Sequence, residues 1–436
     1  MKLAIVVQRY GADISGGAEL HARYVAEHLS KHAEIIVLTT CARDYVTWRN
    51  EFPAGMETVN GIRVERFRVS REREVHDFAR RQQRVFHEVH SLQDELRWLD
   101  SEGPTSPALV ARVRQAATEC DYLLFFSVRY YQAYHGARAA ADRAVLVPTA
   151  ERDPALGLAI FGPIFRGVRG IMYNSFEERT LINAVSGNED VPGVVVGIGS
   201  EIPERVEPAR ARQKFSLENP FVIYVGRIDA NKGCAELFDF FLSYVGSSRR
   251  PLDLVLIGSP VLQIPKHPRI RHLGFVDDQD KFDAIAAADA LVMPSYYESL
   301  SMVALEAWAL GRPVVANAHC DVLVGQSLRS NAGLYYEDAA EFAGALDALL
   351  DAPALAQALG RNGREYFTRH YTWPVIEQTY LDMFARLSSE PPRRRMEPLP
   401  GWLERRRRTL PPAEDVVAAI PAGPAVVRRR RTEVPA

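Results

Sequence analysis

The sequence predicts an α/β protein with two doubly wound parallel sheets, each covered by helices. Three observations carry this. The chain has 436 residues, enough for two or three domains with sizeable cores. Short β-rich apolar runs alternate with helical patterns from the first residues, as they do when helices form the crossovers of a parallel sheet. The alternation also occurs twice, on either side of a polar stretch punctuated by proline.

The first series reads KLAIVVQ (2–8), EIIVLTT (34–40), GIRVERFRV (61–69), YLLFFS (122–127), AVLVPT (144–149), GIMYNS (170–175) and GVVVGIG (193–199), with helices over 18–32 and 176–186. Between its third and fourth strands, about 71–118, lies a charged helical excursion. There Val75, Phe78, Val85, Phe86, Val89, Leu92 and Leu96 mark one apolar face, and Arg80, Arg81 and Arg84 a solvated one. The second series reads FVIYVGR (221–227), LDLVLIG (252–258), IRHLGFV (270–276), DALVMPS (289–295), PVVAN (313–317) and GLYY (333–336). The expected limits are 1–203 for the first domain, 204–390 for the second with its closing helices, and 391–436 for a tail. Rich in Pro and Arg with little apolar periodicity, that tail cannot bury enough surface to offset its conformational entropy and is expected to be disordered.

Composition narrows the classes of function. With 47% hydrophobic residues, 25% charged residues and a net charge of -2, the chain has no bias toward nucleic acid. Cys41, Cys120, Cys234 and Cys320 are scattered, without CxxC spacing, and read as reduced thiols. No apolar run approaches the roughly 20 residues of a membrane span. The expected location is the cytoplasm, with the arginine clusters of the tail able to touch an anionic inner membrane face.

Ligands of such sheets bind at the carboxyl ends of the strands. After the first strand, Gly16 and Gly17 precede a helix, where a backbone can approach an anion closely and unpaired N–H groups face it. After the first strand of the second series, VGRIDANKG places Arg227 and Lys232 around a short loop, a forked donor and a mobile point charge suited to a diphosphate. In YYESLSMVALEAWAL the amides of Ser299, Leu300 and Ser301 are expected at a helix start, between Glu298 and Glu306. At about 1.5 Å per residue, Glu306 falls roughly 6 Å along that helix, so a ligand lying on it would meet amides at one end and a carboxylate at the other. No DxD-type metal site accompanies them; DANK and VDDQD read as turn and helix-start chemistry.

The spacing Glu298-x7-Glu306 in a β-loop-α setting, the upstream VGRIDANKG and the N-terminal GGAE together resemble retaining glycosyltransferases of the GT4 family, over about 1–387. The resemblance implies the GT-B fold: two Rossmann-like domains facing each other across a cleft. It further implies a nucleotide-sugar donor with no separate cofactor and no metal, and a glycan or lipid-linked acceptor. On that template Arg227 and Lys232 hold the diphosphate, Glu306 the ribose and Glu298 the transferred hexose. Gly16 and Gly17 close over the phosphates, and backbone near Gly258 meets the base. The implied activity is hexosyl transfer with retention, in cell-surface polysaccharide or glycolipid synthesis. One departure stands out: where such enzymes often carry a histidine after the AVLVPT strand, this chain has TAERDP, with Glu151, Arg152 and Asp153. His135, on a helix nearby in sequence, is a candidate to compensate. Two other readings fit the fold, a catalytically silent partner subunit that binds nucleotide-sugar or glycan and a sugar-nucleotide epimerase. A dehydrogenase does not fit, because no GxGxxG follows the first strand.

Overall fold

In the computed structural model the first lobe begins with β1 (Lys2–Val6), α1 (Gly17–Leu29), β2 (Glu34–Thr40), β3 (Gly55–Val59) and β4 (Ile62–Phe67). Helices α2 (Val75–His87), α3 (Leu92–Glu102) and α4 (Pro107–Glu119) follow. The lobe is completed by β5 (Tyr122–Phe126), α5 (Tyr131–Ala139), β6 (Ala144–Val147), α6 (Gly162–Gly167), β7 (Gly170–Tyr173), α7 (Phe176–Ser186) and β8 (Gly193–Val195). The structure describes residues 1–14, 16–248, 250–391, 396–397, 399 and 413–418. The expectation for the tail concerns residues that lie largely outside these; within them, Ala413–Ala418 forms a short helix.

The strands order as β3-β4-β2-β1-β5-β6-β7-β8, parallel except for β3. After Lys2, β1 is apolar because helices cover both faces of the sheet: Leu3, Ala4, Ile5 and Val6 are all fully buried. On α1, Ala22, Val25, Ala26 and Leu29 form the buried stripe that a 3.6-residue period puts on one face.

Two features of this lobe depart from the sequence reading. GMETV is a strand, β3, paired antiparallel to β4 through a two-residue turn. Asn60 and Gly61 form that turn, both at positive φ (49° and 81°), which is the Asn-Gly hairpin signal that the reading passed over. The excursion is three helices rather than one face, because Ser91 makes a capping box with Asp94 and Ser106-Pro107 starts a new helix.

The second lobe opens with α8 (Pro208–Lys214), β9 (Phe221–Val225), α9 (Cys234–Ser247), β10 (Asp253–Ile257) and β11 (Ile270–Gly274). Then come α10 (Asp278–Ala287), β12 (Ala290–Met293), α11 (Met302–Ala309), β13 (Val314–Asn317), α12 (Asp321–Ser330) and β14 (Gly333–Tyr336). Helices α13 (Ala339–Asp351), α14 (Pro353–His370) and α15 (Trp373–Ser389) end it. Its strand order is β11-β10-β9-β12-β13-β14, all parallel.

The last helix returns to the first lobe. Phe384 stacks on Tyr122 of β5 at 5.2 Å, and Trp373 on His28 of α1 at 3.7 Å. Glu377 binds His28 at 2.7 Å and His32 at 2.8 Å. Strand order reverses at β1 in one sheet and at β9 in the other, which are the positions where open α/β sheets leave a crevice. Among the described residues no single helix is long and apolar enough to cross a membrane.

Candidate active site

The site begins at Gly233, the N-cap of α9. Its φ is +71°, and a Cβ there would lie 2.0 Å from the carbonyl oxygen of Pro294. Glycine therefore lets the loop after β9 pass directly over the end of β12. The consequence is a contact between the two loops: Lys232 Nζ donates to Glu298 Oε1 at 2.7 Å. Asp229 organises the same loop, accepting the backbone N–H of Lys232 at 2.8 Å and pairing with the Arg227 guanidinium. Arg227 also points to the first lobe, with Nη1 3.5 Å from the Tyr45 hydroxyl. DANK is thus turn chemistry, and Asp277 of VDDQD caps α10 through the Asp280 N–H at 2.8 Å.

Glu298 is not a helix cap. Ser301 takes the N-cap of α11, accepting the Ala304 N–H at 3.2 Å, and the helix starts at Met302. Ser299 and Leu300 therefore lie in the loop ahead of the helix rather than in its first turn, with Leu300 buried and anchoring that loop. The expected start was early because serine is the stronger cap, and it fixes the boundary at its own position. Glu306 is not solvent-facing either. It is 8% exposed, with Oε1 3.1 Å from Lys281 Nζ and Oε2 buried with no hydrogen-bond partner. Burial pushes its pKa up against the opposing pull of Lys281.

Gly258 ends β10 at a φ of +138°, where a Cβ would fall 1.9 Å from the Gly226 carbonyl oxygen. Side chains are therefore kept off the close approach of β9 and β10, and His272 Nε2 donates to the Gly258 carbonyl at 2.8 Å. From the other lobe, Gly16 is the N-cap of α1, and a Cβ on it would sit 2.1 Å from Glu19 Oε2; around Gly17 the space is open. Glu19 is a buried ion-pair partner of Arg9 at 2.7 Å, which explains the packing against Gly16.

The loop after β6 brings TAERDP to the second lobe. A cavity of about 40 Å³ is lined there by Glu151, Arg152, Tyr297, Glu298 and Asp321, among others. Arg152 pairs with Asp321 across the cleft at 3.4 Å. Burial pushes the Glu151 pKa up to about 7, with Glu298 and Asp153 adding to the shift and Lys232 opposing it. Burial lowers the pKa of Lys232, but Glu298 and Glu151 more than offset this, so its ammonium is held on. Asp153 is engaged on both oxygens, by the Ala155 N–H at 2.7 Å and by Arg129. His135 is packed between Tyr131 and Tyr134, 3.9 Å from Asp100, with a pKa pushed down by burial to about 4. Its contacts are those of a neutral packing residue.

Two elements of the site escaped the sequence reading. Glu178, fully buried in the first turn of α7, accepts the N–H of Ala150 at 2.6 Å and of Asn174 at 2.5 Å, and so braces the loop that carries Glu151. The Ser175-x-x-Glu178 spacing announces a helix start, but nothing local announces the bond to Ala150. Its neighbour Glu177 reaches the second lobe, taking both terminal nitrogens of Arg329 at 2.5 and 3.0 Å. Among the described residues no group of three or more His, Cys, Asp or Glu side chains is placed to hold a metal ion.

Chemically, the arrangement offers two cations and a run of loop amides to an anion, with one carboxylate beside the cations and another, with an unused oxygen, along the helix. In sequence and in fold the chain is similar to known proteins. Residues 219–352 match the family model described as "Glycosyl transferases group 1". The chain is 31% identical over 193 residues to the glycogen synthase of Mycobacterium tuberculosis, covering 39% of this chain and 46% of that one. It is 32% identical over 199 residues to D-inositol 3-phosphate glycosyltransferase 2 of Catenulispora acidiphila, covering 40% and 46%. The chain thus spans about half the length of these relatives. Among solved structures, the sucrose-phosphate synthase of Thermosynechococcus elongatus superimposes with a TM-score of 0.62 at 18% identity, covering 89% of this chain and 99% of that one. Anabaena HepE in complex with UDP-glucose does so with a TM-score of 0.63 at 18% identity, covering 88% and 100%. The chain thus has two Rossmann-like α/β lobes in a GT-B-like arrangement, and its residues 219–352 are similar to the glycosyl transferases of group 1.

Proposed function

We propose that the protein is a retaining, metal-independent glycosyltransferase that moves a hexose from a nucleotide-sugar to a glycan or lipid-linked acceptor. The observation that carries this reading is the contact of Lys232 with Glu298 at the strand ends of the second lobe, opposite the loop that bears Glu151. In this reading Lys232 and Arg227 hold the diphosphate, helped by the amides of Ser299, Leu300 and Ser301. Glu298 accepts hydrogen bonds from the hexose, and the unpartnered Oε2 of Glu306 accepts from the ribose. Backbone at Gly258 borders the base, while the open space at Gly17, next to Gly16 at the start of α1, receives the phosphates on the first lobe. Cations and oriented amides stabilise the charge that grows on the departing nucleoside diphosphate. The acceptor attacks from the face that the leaving group vacates, on the side of Glu151 and Asp153.

The UDP-glucose bound to a protein of the same fold supports a nucleotide-sugar donor, and GDP-mannose, named for a relative from Corynebacterium glutamicum, is a second candidate. Polysaccharide or glycolipid synthesis at the inner membrane face is the setting we assign, on the composition of the arginine-rich tail. The test is a panel of nucleotide-sugars scored for slow hydrolysis and thermal stabilisation. One donor should stand out in both. Stabilisation without turnover, even with acceptors present, would instead identify a binding subunit.

A further inference from the structure

We propose that donor binding in this cleft places a proton on Glu151, so that affinity for a nucleotide-sugar falls as pH rises through neutrality. The inference rests on the nucleotide-sugar reading and adds to it a linkage that follows from the charge inventory around Glu151.

Each neighbouring carboxylate has its own partner. Glu298 has Lys232, Asp321 has Arg152, Glu177 has Arg329 and Asp153 has Arg129. Glu178 has two backbone N–H groups. Glu151 alone of these has neither an ion pair nor a side-chain hydrogen bond among the described residues. The cation that stabilises it most is Lys232, which is already committed to Glu298 at 2.7 Å. Arg129 also favours the ionised form of Glu151 but is held by Glu102 and Asp153, Arg152 is held by Asp321, and the other titratable groups on this cavity add no further cation. The Tyr296 hydroxyl donates to Glu236 at 2.7 Å, His319 Nδ1 lies 3.1 Å from Asn317 Oδ1, and burial pushes the Cys320 thiol up to about 12.

A diphosphate seated on Lys232 therefore enters a place where two carboxylates already share one ammonium. A like charge within a few ångströms disfavours the ionised form of a carboxylate, and the desolvation that closes a cleft acts in the same direction. Unliganded, Glu151 sits near half-protonation at neutral pH. The added charge tips that balance. One proton from solvent moves onto a Glu151 oxygen, giving a neutral acid that donates a hydrogen bond toward the donor instead of repelling it. The Glu178 brace on Ala150 keeps the loop in place while this happens.

Titration calorimetry of the full chain tests this, with UDP-glucose and GDP-mannose as probes, since neither has a group that titrates near neutrality. At pH 7.5, the binding enthalpy in buffers of low and high ionisation enthalpy should report uptake of roughly three-quarters of a proton per donor. The dissociation constant should rise above pH 7 by up to about tenfold per pH unit. In Glu151→Gln, which keeps the size of the side chain, both effects should vanish. Donor binding with no proton uptake in the wild type overturns the proposal. So does uptake that persists unchanged in Glu151→Gln, which would put the proton elsewhere. If neither probe binds at any pH, the nucleotide-sugar reading itself fails, and the linkage goes with it.

Discussion

Lys232 Nζ and Glu298 Oε1 meet at 2.7 Å although they stand on loops after different strands. This contact joins the expected phosphate group to the expected sugar group, so removing either residue disturbs both. Lys232→Ala removes the ammonium proposed to hold the diphosphate and should weaken nucleotide-sugar binding by about 1.5–3 kcal/mol. Arg227→Ala should cost less, because that guanidinium is partly exposed and already shared with Asp229. Calorimetric dissociation constants decide the matter, and an unchanged value in Lys232→Ala would remove the diphosphate assignment.

The two glutamates should separate kinetically. Glu306 offers a buried, unpartnered oxygen on α11; as the proposed ribose contact it serves the ground and transition states alike, so Glu306→Gln should chiefly raise KM. Glu298 lies 2.7 Å from Lys232, the cation proposed to hold the leaving group, so Glu298→Gln should lower kcat more than it raises KM. Steady-state kinetics with one donor tests this, and a Glu298→Gln variant with its kcat intact would reduce Glu298 to a ground-state sugar contact.

Two glycines support the site by absence of a side chain, and they should respond differently to alanine. Gly233→Ala combines left-handed backbone with a collision at the Pro294 carbonyl, and should destabilise the fold by at least about 1–3 kcal/mol. Gly325 lies inside α12, where alanine is normally better by roughly 0.5–1 kcal/mol, but its added Cβ would fall 2.0 Å from Glu177 Oε1. Gly325→Ala should therefore loosen the Glu177–Arg329 bridge between the lobes with little change in melting temperature, and the Gly325→Ala/Glu177→Ala double variant should be no worse than Glu177→Ala. Thermal melts and limited proteolysis at the lobe connector would reveal a failure of either expectation.

Glu178 should shape the pH dependence of stability. Burial pushes its pKa up to about 8, against the two backbone N–H groups it accepts, from an ordinary value of 4.5. The native state then holds a proton that the unfolded chain releases, so this group's contribution to stability falls as pH rises from about 4.5 to about 8 and is level beyond. In Glu178→Gln that slope should flatten, whatever the absolute loss from disturbing the Ala150 loop. Urea midpoints at several pH values between 5 and 9 measure it; parallel profiles for wild type and variant would count against the assignment.

Much of the architecture was legible because it repeats a local rule. Parallel strands buried on both faces read as apolar runs, and Phe221–Val225 or Asp253–Ile257 stand out for that reason. β3 did not stand out, since GMETV is an exposed edge with little apolar pattern, although Asn60-Gly61 marks its turn. Lys232, Glu298 and Glu306 drew notice by type and spacing, and the structure brings the first two into contact. That Glu306 is buried against Lys281, and that Ser301 rather than Glu298 caps α11, required the packed structure.

By itself, the sequence determined the two series of β-loop-α units, the strand-end loops on which charged residues collect, and the glycines that let those loops approach one another. These are properties of short stretches, written in periodicity and turn chemistry. Only the tertiary structure decided which loops meet: Lys232 with Glu298, Ala150 with Glu178, Arg152 with Asp321, Glu177 with Arg329. Those partners are separated by between 28 and 169 positions, and their pairing depends on strand order and on the facing of two lobes, which no local pattern encodes. The same holds for the charge state of Glu151. In an isolated peptide it would be an ordinary carboxylate; partial burial in the folded loop, with Glu298 and Asp153 adding to the shift, pushes it up to about 7 against the pull of Lys232.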